Sequence, residues 1–226
     1  MNNLTAIILC GGKGMRLRPL TNDIPKPLVE INDKPILYYI INHLMKYEIK
    51  DLIIATGYKS EMIETFMKNN FSNIKYTIVN SGDVNILKRV KDCMEYINND
   101  FLLCYGDTIS NVNIKELISF QKTEGNLVTI TSYPITIPFG VMKLNENKIV
   151  ESFNEKPTLQ SVMNIGYYYF PKNQFDLIKS NDDLIDVINK LIEKKLLRCF
   201  EHNQIHITIN TLSELEYAEK NITQIF

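Results

Sequence analysis

The 226-residue chain, 45% apolar and 23% charged, has enough apolar material for one core, and its net charge of −1 is too small to draw nucleic acid or an anionic membrane to it. No apolar run approaches the roughly 18 residues of a membrane span and the first residues carry no signal-peptide pattern, so a cytoplasmic protein is expected. Cys10, Cys93, Cys104 and Cys199 lie far apart, form no C-x-x-C or Cys/His ligand spacing, and read as reduced thiols.

The unbroken apolar run Ala6 to Cys10, closed by Gly11 and Gly12, predicts a buried strand of a parallel sheet that opens into a loop. Such strand ends are where α/β sheets bind ligands. Gly11, Gly12 and Gly14 let the backbone turn and bring N–H groups close to an anion, while Lys13, Arg16, Arg18 and Lys26 add cationic side chains, a chemistry suited to polyphosphate. Two named phosphate loops are excluded: Lys13 is followed by Gly14 rather than Ser or Thr, and Leu17 stands where the dinucleotide fingerprint needs Gly.

Pro35 to Glu48 then has helical spacing with Pro in the first turn. Strands are expected at 52–56, 75–79 and 101–105, with helices at 59–69 and 86–97 between them. This alternation implies a doubly wound, mostly parallel α/β sheet with right-handed crossovers. Beyond a helix at 113–123, shorter strands are expected at 127–133, 139–144, 149–153 and 164–170, lying over the ligand edge and holding a second substrate. Helices at 172–178 and 184–195, strands at 196–200 and 205–209, and a helix from Leu212 complete the chain. With no repeat and no linker, one domain spanning 1–226 is expected, with a nucleotide half of about 1–112 and an acceptor half of about 113–226.

Asp107 ends the strand at 101–105 within Tyr-Gly-Asp-Thr, and Gly106 allows close approach there. A carboxylate so placed suits Mg²⁺, a hard cation that shares oxygen ligands with substrate phosphates; a cap for the following turn is the plainer alternative. Glu155-Lys156-Pro157 follows a strand and Asn164-Ile165-Gly166 opens another, although Lys156 alone also reads as a solvated turn lysine. His202 and His206 are four apart, but in a stretch that reads as strand and turn, where that spacing does not make a metal pair.

The run GGKGMRLRPLT followed by PKPLVEINDKPIL resembles the signature of the sugar-phosphate nucleotidylyltransferases. Ser81-Gly-Asp, Leu87-Lys-Arg-Val, Tyr105-Gly-Asp-Thr and Ser152-Phe-Asn-Glu-Lys-Pro are similar to the glucose-1-phosphate cytidylyltransferase branch. The resemblance implies a Rossmann-like, GT-A-like fold with a smaller acceptor-binding sheet in the second half, CTP as donor and Mg²⁺ as cofactor. It implies nucleotide contacts from Leu9, Gly11, Gly12, Lys13, Gly14, Gly57, Ser81, Gly82 and Gly106, with Lys13 and Arg16 on the departing phosphates. Arg16, Lys26 and Asp107 are then the catalytic set, Lys26 meeting the α-phosphate and Asp107 holding the metal together with Asn210. Glu155, Lys156, Asn164 and Gly166 are the implied acceptor residues, Lys156 on the acceptor's phosphate.

Two departures bear on these roles. Asn210-Thr211 stands where the family ordinarily has Asp-Thr, so the second metal ligand is a neutral carbonyl oxygen. The segment from His202 to Asn210 also lacks the aromatic and acidic residues of sugar-binding members. The short chain is similar to the CTP:phosphoglutamine cytidylyltransferases of bacterial capsule phosphoramidate synthesis, which implies L-glutamine phosphate as acceptor and CDP-L-glutamine and pyrophosphate as products. Glucose 1-phosphate or another sugar 1-phosphate is the alternative acceptor. A non-turning nucleotide-binding protein with Asn210 as its lesion is a rival of another class, against which the joint retention of Arg16, Lys26, Asp107 and Lys156 argues. A metal-dependent glycosyltransferase would show Asp-x-Asp, whereas Thr108 and Ile109 follow Asp107. No nucleic acid or membrane partner is expected, and a homo-oligomer is left open.

Overall fold

The computed structural model describes residues 4–123 and 127–225. In chain order the elements are β1 (Thr5–Cys10), β2 (Glu30–Ile31), β3 (Lys34–Pro35), α1 (Ile36–Lys46), β4 (Asp51–Thr56), α2 (Ser60–Asn70), β5 (Lys75–Asn80), α3 (Ile86–Cys93), β6 (Phe101–Tyr105) and β7 (Thr108–Ser110). They continue with α4 (Ile114–Thr123), β8 (Val128–Thr136), β9 (Val141–Leu144), β10 (Val150–Asn154), β11 (Thr158–Phe170), α5 (Phe175–Lys179), α6 (Leu184–Glu193), β12 (Leu197–Glu201), β13 (His206–Thr208) and α7 (Leu212–Asn221).

Seven strands form the central sheet in the order β12-β8-β11-β6-β1-β4-β5. β6, β1, β4 and β5 are parallel to one another, which gives the α/β fold its doubly wound half. β11 runs antiparallel between β6 and β8, and β12 lies parallel to β8 at the far edge. The second half is therefore split: β8, β11 and β12 extend the central sheet, while β9 and β10 form a small antiparallel pair apart from it.

β1 shows why the apolar runs become central strands. Ala6, Ile8 and Cys10 pack on one side with Leu37, Ile40 and Leu44 of α1, whereas Ile7 packs on the other with Leu87 and Val90 of α3. Successive side chains of a strand point to opposite faces, so a strand covered by helices on both must be apolar throughout. Ile7 and Ile8 are both fully buried, each worth about 2 kcal/mol of transfer free energy.

β2, β3 and β7 were not expected and β8 runs on to Thr136, and three further elements change type or start. The helix expected over 86–97 is α-helical only to Cys93 and tightens into a 3₁₀ turn at Met94–Tyr96, closed by Ile97 N–H on the Met94 carbonyl at 3.2 Å. The helix expected at 172–178 likewise begins as a 3₁₀ turn, Lys172–Gln174, before α5. β11 starts at Thr158 rather than 164, because its solvent-exposed first half pairs with β8 through two register shifts. Cys10, Cys93 and Cys104 are buried free thiols, and burial pushes Cys93 up to about 12.

Candidate active site

The C-terminal ends of β1 and β6 meet at the front of the sheet. Gly106 donates its N–H to the Leu9 carbonyl at 3.1 Å, and a Cβ on Gly106 would collide with that oxygen. Glycine here lets the β6 end lie flat against the β1 end and delivers Asp107 directly beside the glycine-rich loop. Within that loop Gly14 has φ +61°, and its carbonyl accepts from Thr21 Oγ1 at 2.8 Å. Leu17, fully buried, anchors the loop to the core.

Lys26 leaves this loop between Pro25 and Pro27, whose rings stiffen the backbone around it. Only 9% of the residue is exposed. Its ammonium donates to Asp107 Oδ2 at 2.6 Å and to Asn210 Oδ1 at 2.9 Å. Arg16 Nη2 donates to the same Asn210 oxygen at 2.7 Å. Arg16, Lys26, Asp107 and Asn210 are thus one hydrogen-bonded cluster.

A short ribbon brings Asn210 to Asp107 across a hundred residues of chain. β13 pairs antiparallel with β7 in the register His206 to Ser110, Ile207 to Ile109 and Thr208 to Thr108, and Ile209 N–H reaches the Asp107 carbonyl at 3.2 Å. The Asn210 amide is oriented by its own Nδ2–H, which donates to Thr208 Oγ1 at 3.0 Å and so turns Oδ1 toward the cations. Its backbone N–H is held by Glu214 Oε2 at 2.7 Å, part of the capping box that starts α7 at Thr211.

Two adjoining spaces flank this cluster. One, of about 360 Å³, is lined by Leu9, Gly11, Gly12, Lys13, Lys26, Gly106 and Asp107, together with Asp83, Arg89 and Tyr105. The other, of about 230 Å³, is lined by Gly12, Gly14, Arg16, Lys26, Asp107 and Asn210. Gly12, Lys26 and Asp107 stand on the boundary and belong to both.

The donor set fits a hard divalent cation. Two oxygens, one anionic and one neutral, already converge on a single cationic centre, the Lys26 ammonium. Among the described residues no group of three His, Cys, Asp or Glu side chains is placed to hold a metal, so an ion here would draw its remaining ligands from substrate phosphates and water.

The family match covers residues 5–212 and is to nucleotidyl transferases. The chain belongs to the nucleotidyl transferase family. It is 33% identical, over 96% of this chain and 95% of the other, to glucose-1-phosphate cytidylyltransferase of Salmonella typhimurium. It is also 32% identical to D-glycero-α-D-manno-heptose 1-phosphate guanylyltransferase of Campylobacter jejuni, over 76% of this chain and 78% of the other. The structure of HddC from Yersinia pseudotuberculosis shares the fold with a TM-score of 0.75 at 22% identity, covering 97% of this chain and 99% of that one. The protein is therefore a nucleotidyltransferase related to sugar-phosphate nucleotidyltransferases, cytidylyltransferases among them. No helix among the described residues is long and apolar enough to cross a membrane.

The nucleotidyltransferase keeps some of its expected site residues away from this cluster. Gly57, Ser81 and Gly82 line neither space; Gly57 and the Gly82 carbonyl lie against the Arg89 guanidinium, which also lies against Gly11. Glu155 and Lys156 are exposed beyond β10, Lys156 with φ +46°, and they too line neither space. Asn164 accepts from Gly166 N–H at 3.0 Å and donates to Tyr168 Oη at 2.5 Å. Tyr168 Oη lies 3.3 Å from Tyr105 Oη, so Asn164 connects indirectly to the 360 Å³ space. Gly166, at φ +78°, lies where a Cβ would strike the Tyr105 ring. His202 and His206 both pack against Tyr133, at 6.0 and 4.9 Å between ring centres, and burial lowers His206 to about 4.

Asp83, Arg89 and Tyr105 also line the 360 Å³ space; they fall in motifs quoted from the sequence, but no role was assigned to them there. Arg89 carried a signal: it falls on the buried face of α3 with Leu87, Val90 and Cys93, where a charge must find polar partners. Asp83 forms an exposed ion pair with Lys13 at 2.5 Å, spanning from the segment after β5 to the glycine-rich loop.

Proposed function

We propose that this nucleotidyltransferase transfers CMP from MgCTP to a phosphorylated small molecule and releases pyrophosphate. The observation that carries the reading is the cluster itself: Lys26 bridges Asp107 and Asn210 at the boundary of two adjoining spaces, with Arg16 on the same oxygen. The 33% identity to a glucose-1-phosphate cytidylyltransferase supports cytosine as the base.

In this reading an acceptor phosphate oxygen attacks the α-phosphorus of CTP, the α–β bridging P–O bond breaks, and pyrophosphate departs with the electron pair. The attacking oxygen is already ionised near neutral pH, so no general base is needed and the work is alignment and charge stabilisation. Lys26 serves the α-phosphate, Lys13 and Arg16 the departing phosphates, and Lys156 the acceptor phosphate. Asp107 and Asn210 would hold Mg²⁺, which when bound stabilises charge on the phosphoryl oxygens. Leu9, Gly11, Gly12, Gly14, Gly57, Ser81, Gly82 and Gly106 would surround the nucleotide, and Glu155, Asn164 and Gly166 the acceptor.

Glutamine phosphate is the proposed acceptor, on the resemblance to the short phosphoglutamine enzymes and the non-sugar character of the segment from His202 to Asn210. Glucose 1-phosphate is the second reading, favoured by the activity named for the Salmonella relative. Pyrophosphate release with MgCTP and a panel of phosphorylated acceptors tests both. Turnover of glutamine phosphate above glucose 1-phosphate supports the first, the reverse order supports the second, and faster release from dTTP or UTP removes the cytidylyl assignment.

A further inference from the structure

Arg89 is only 5% exposed, yet it is a full cation inside the wall of the 360 Å³ space. Its guanidinium donates to three backbone carbonyls: Thr56 at the end of β4, Gly82 at 2.9 Å and Val84 at 3.4 Å. The same group lies against Gly11, where a Cβ would land on it, and against Gly57, whose Cβ would also meet the Gly82 oxygen at 2.5 Å. One side chain therefore ties the segment 81–85 to the end of β4 and to the first glycine of the loop. Asn80 reinforces the turn by accepting from Gly82 N–H at 3.0 Å.

The Gly82 and Val84 carbonyls are thereby committed to Arg89, and Asp83 and Val84, in the same short segment, line the space together with Arg89 itself. Resting on the nucleotide reading above, we infer that Arg89 is a positioning residue for the nucleotide's base: it fixes the segment 81–85, the end of β4 and Gly11 in one arrangement along this wall, and so sets both affinity and base preference. The fork matters, because one terminal nitrogen reaches Thr56 while the other reaches Gly82 and Val84, a spread that a point ammonium does not reproduce.

The experiment compares wild type, Arg89→Lys and Gly57→Ala, the last because its methyl group displaces the same segment without touching the arginine's charge. Each folded protein is assayed for pyrophosphate release with CTP, UTP, dTTP, ATP and GTP, and for binding of MgCTP and MgUTP by calorimetry. Both variants should raise the KM and Kd for the preferred nucleotide about tenfold or more and lower its preference over the runner-up by a similar factor, with the acceptor KM within about threefold. Unchanged nucleotide affinity and preference in folded Arg89→Lys overturns the inference, as does failure of both variants to fold, since Arg89 is then a structural group. If wild type prefers another base, the cytidylyl reading falls while the positioning role is still decided by whether the variants lose that preference. If wild type releases no pyrophosphate, the MgCTP and MgUTP titrations decide it alone.

Discussion

Replacing Lys26 by Met removes the one cation that touches both Asp107 and Asn210. At 2.6 Å and an effective dielectric of about 20, the gross Coulomb attraction of the Lys26–Asp107 pair is about 6 kcal/mol. Most of that is cancelled by desolvation of the ammonium, whose side chain is only 11% exposed. The Asp107 side chain is 31% exposed and can recover hydration once its partner is gone, so the net loss of stability should be about 1–3 kcal/mol, below the cost of stranding a fully buried charge. For a chain of this length that lowers Tm by about 3–9 °C. The effect on turnover should be larger, about 10²–10³ in kcat, because a preorganised charge at the reacting phosphate is worth roughly 2.7–4 kcal/mol in the transition state. Thermal denaturation and saturating pyrophosphate-release kinetics on the same preparation separate the two effects. A folded Lys26→Met protein with kcat within about threefold of wild type would show that Lys26 is a structural counter-ion and refute the catalytic assignment.

Asp107→Asn should nearly abolish turnover, since it leaves no carboxylate in the cluster, while Asn210→Asp should stay active at a lower Mg²⁺ requirement; wild-type rates for Asp107→Asn at low Mg²⁺ would place the metal elsewhere. Lys156→Ala should raise the acceptor KM about tenfold or more with the KM for CTP nearly unchanged, and equal effects on both substrates would remove its assignment to the acceptor phosphate. His43 donates from Nε2 to the Val112 carbonyl at 2.9 Å, and burial, aided by Lys46 and His202, lowers its pKa from 6.5 to about 4. The folded state then binds fewer protons than the unfolded one between these values, so about 3 kcal/mol of stability is present above pH 6.5 and is lost as pH falls toward 4. His43→Gln keeps an N–H donor but cannot titrate, and urea unfolding at pH 7 and 4.5 should show a shallower loss for it than for wild type; an identical loss would mean that His43 is charged in the folded protein.

What was legible in the sequence was what local pattern encodes. β1 and β6 are continuous apolar runs because helices cover both faces, and the glycines after them mark the ends where Asp107 and the cationic loop emerge. Lys26 was legible as one of the loop's cations, but its role came only through the resemblance that the Pro25-Lys26-Pro27 run carries. The proximity of Asn210 to Asp107 was available only through resemblance, because a three-residue ribbon, β7 with β13, makes that contact and carries almost no periodic signal. The first half of β11 was missed for a similar reason: Thr158 to Met163 are exposed or half-buried and pair through irregular register, so neither alternation nor hydrophobicity marks them. Arg89 was visible as a charge on an apolar helix face, but its three backbone partners come from segments separated from it by 5 to 33 residues, and only the folded chain assembles them.

The position of β11 also dictates an order of assembly. β6 is complete at Tyr105 and β8 at Thr136, yet the strand that joins them ends only at Phe170. While the chain is being made, the parallel half can pair β5, β4, β1 and β6 and still present β6 with an open, wholly apolar edge. Such an edge is a template for mispairing, and closing it requires a non-local contact that is entropically slow to form. Truncated chains that stop before β11 should aggregate, and the interval between synthesis of β6 and insertion of Tyr167 to Phe170 is when this chain most needs a chaperone.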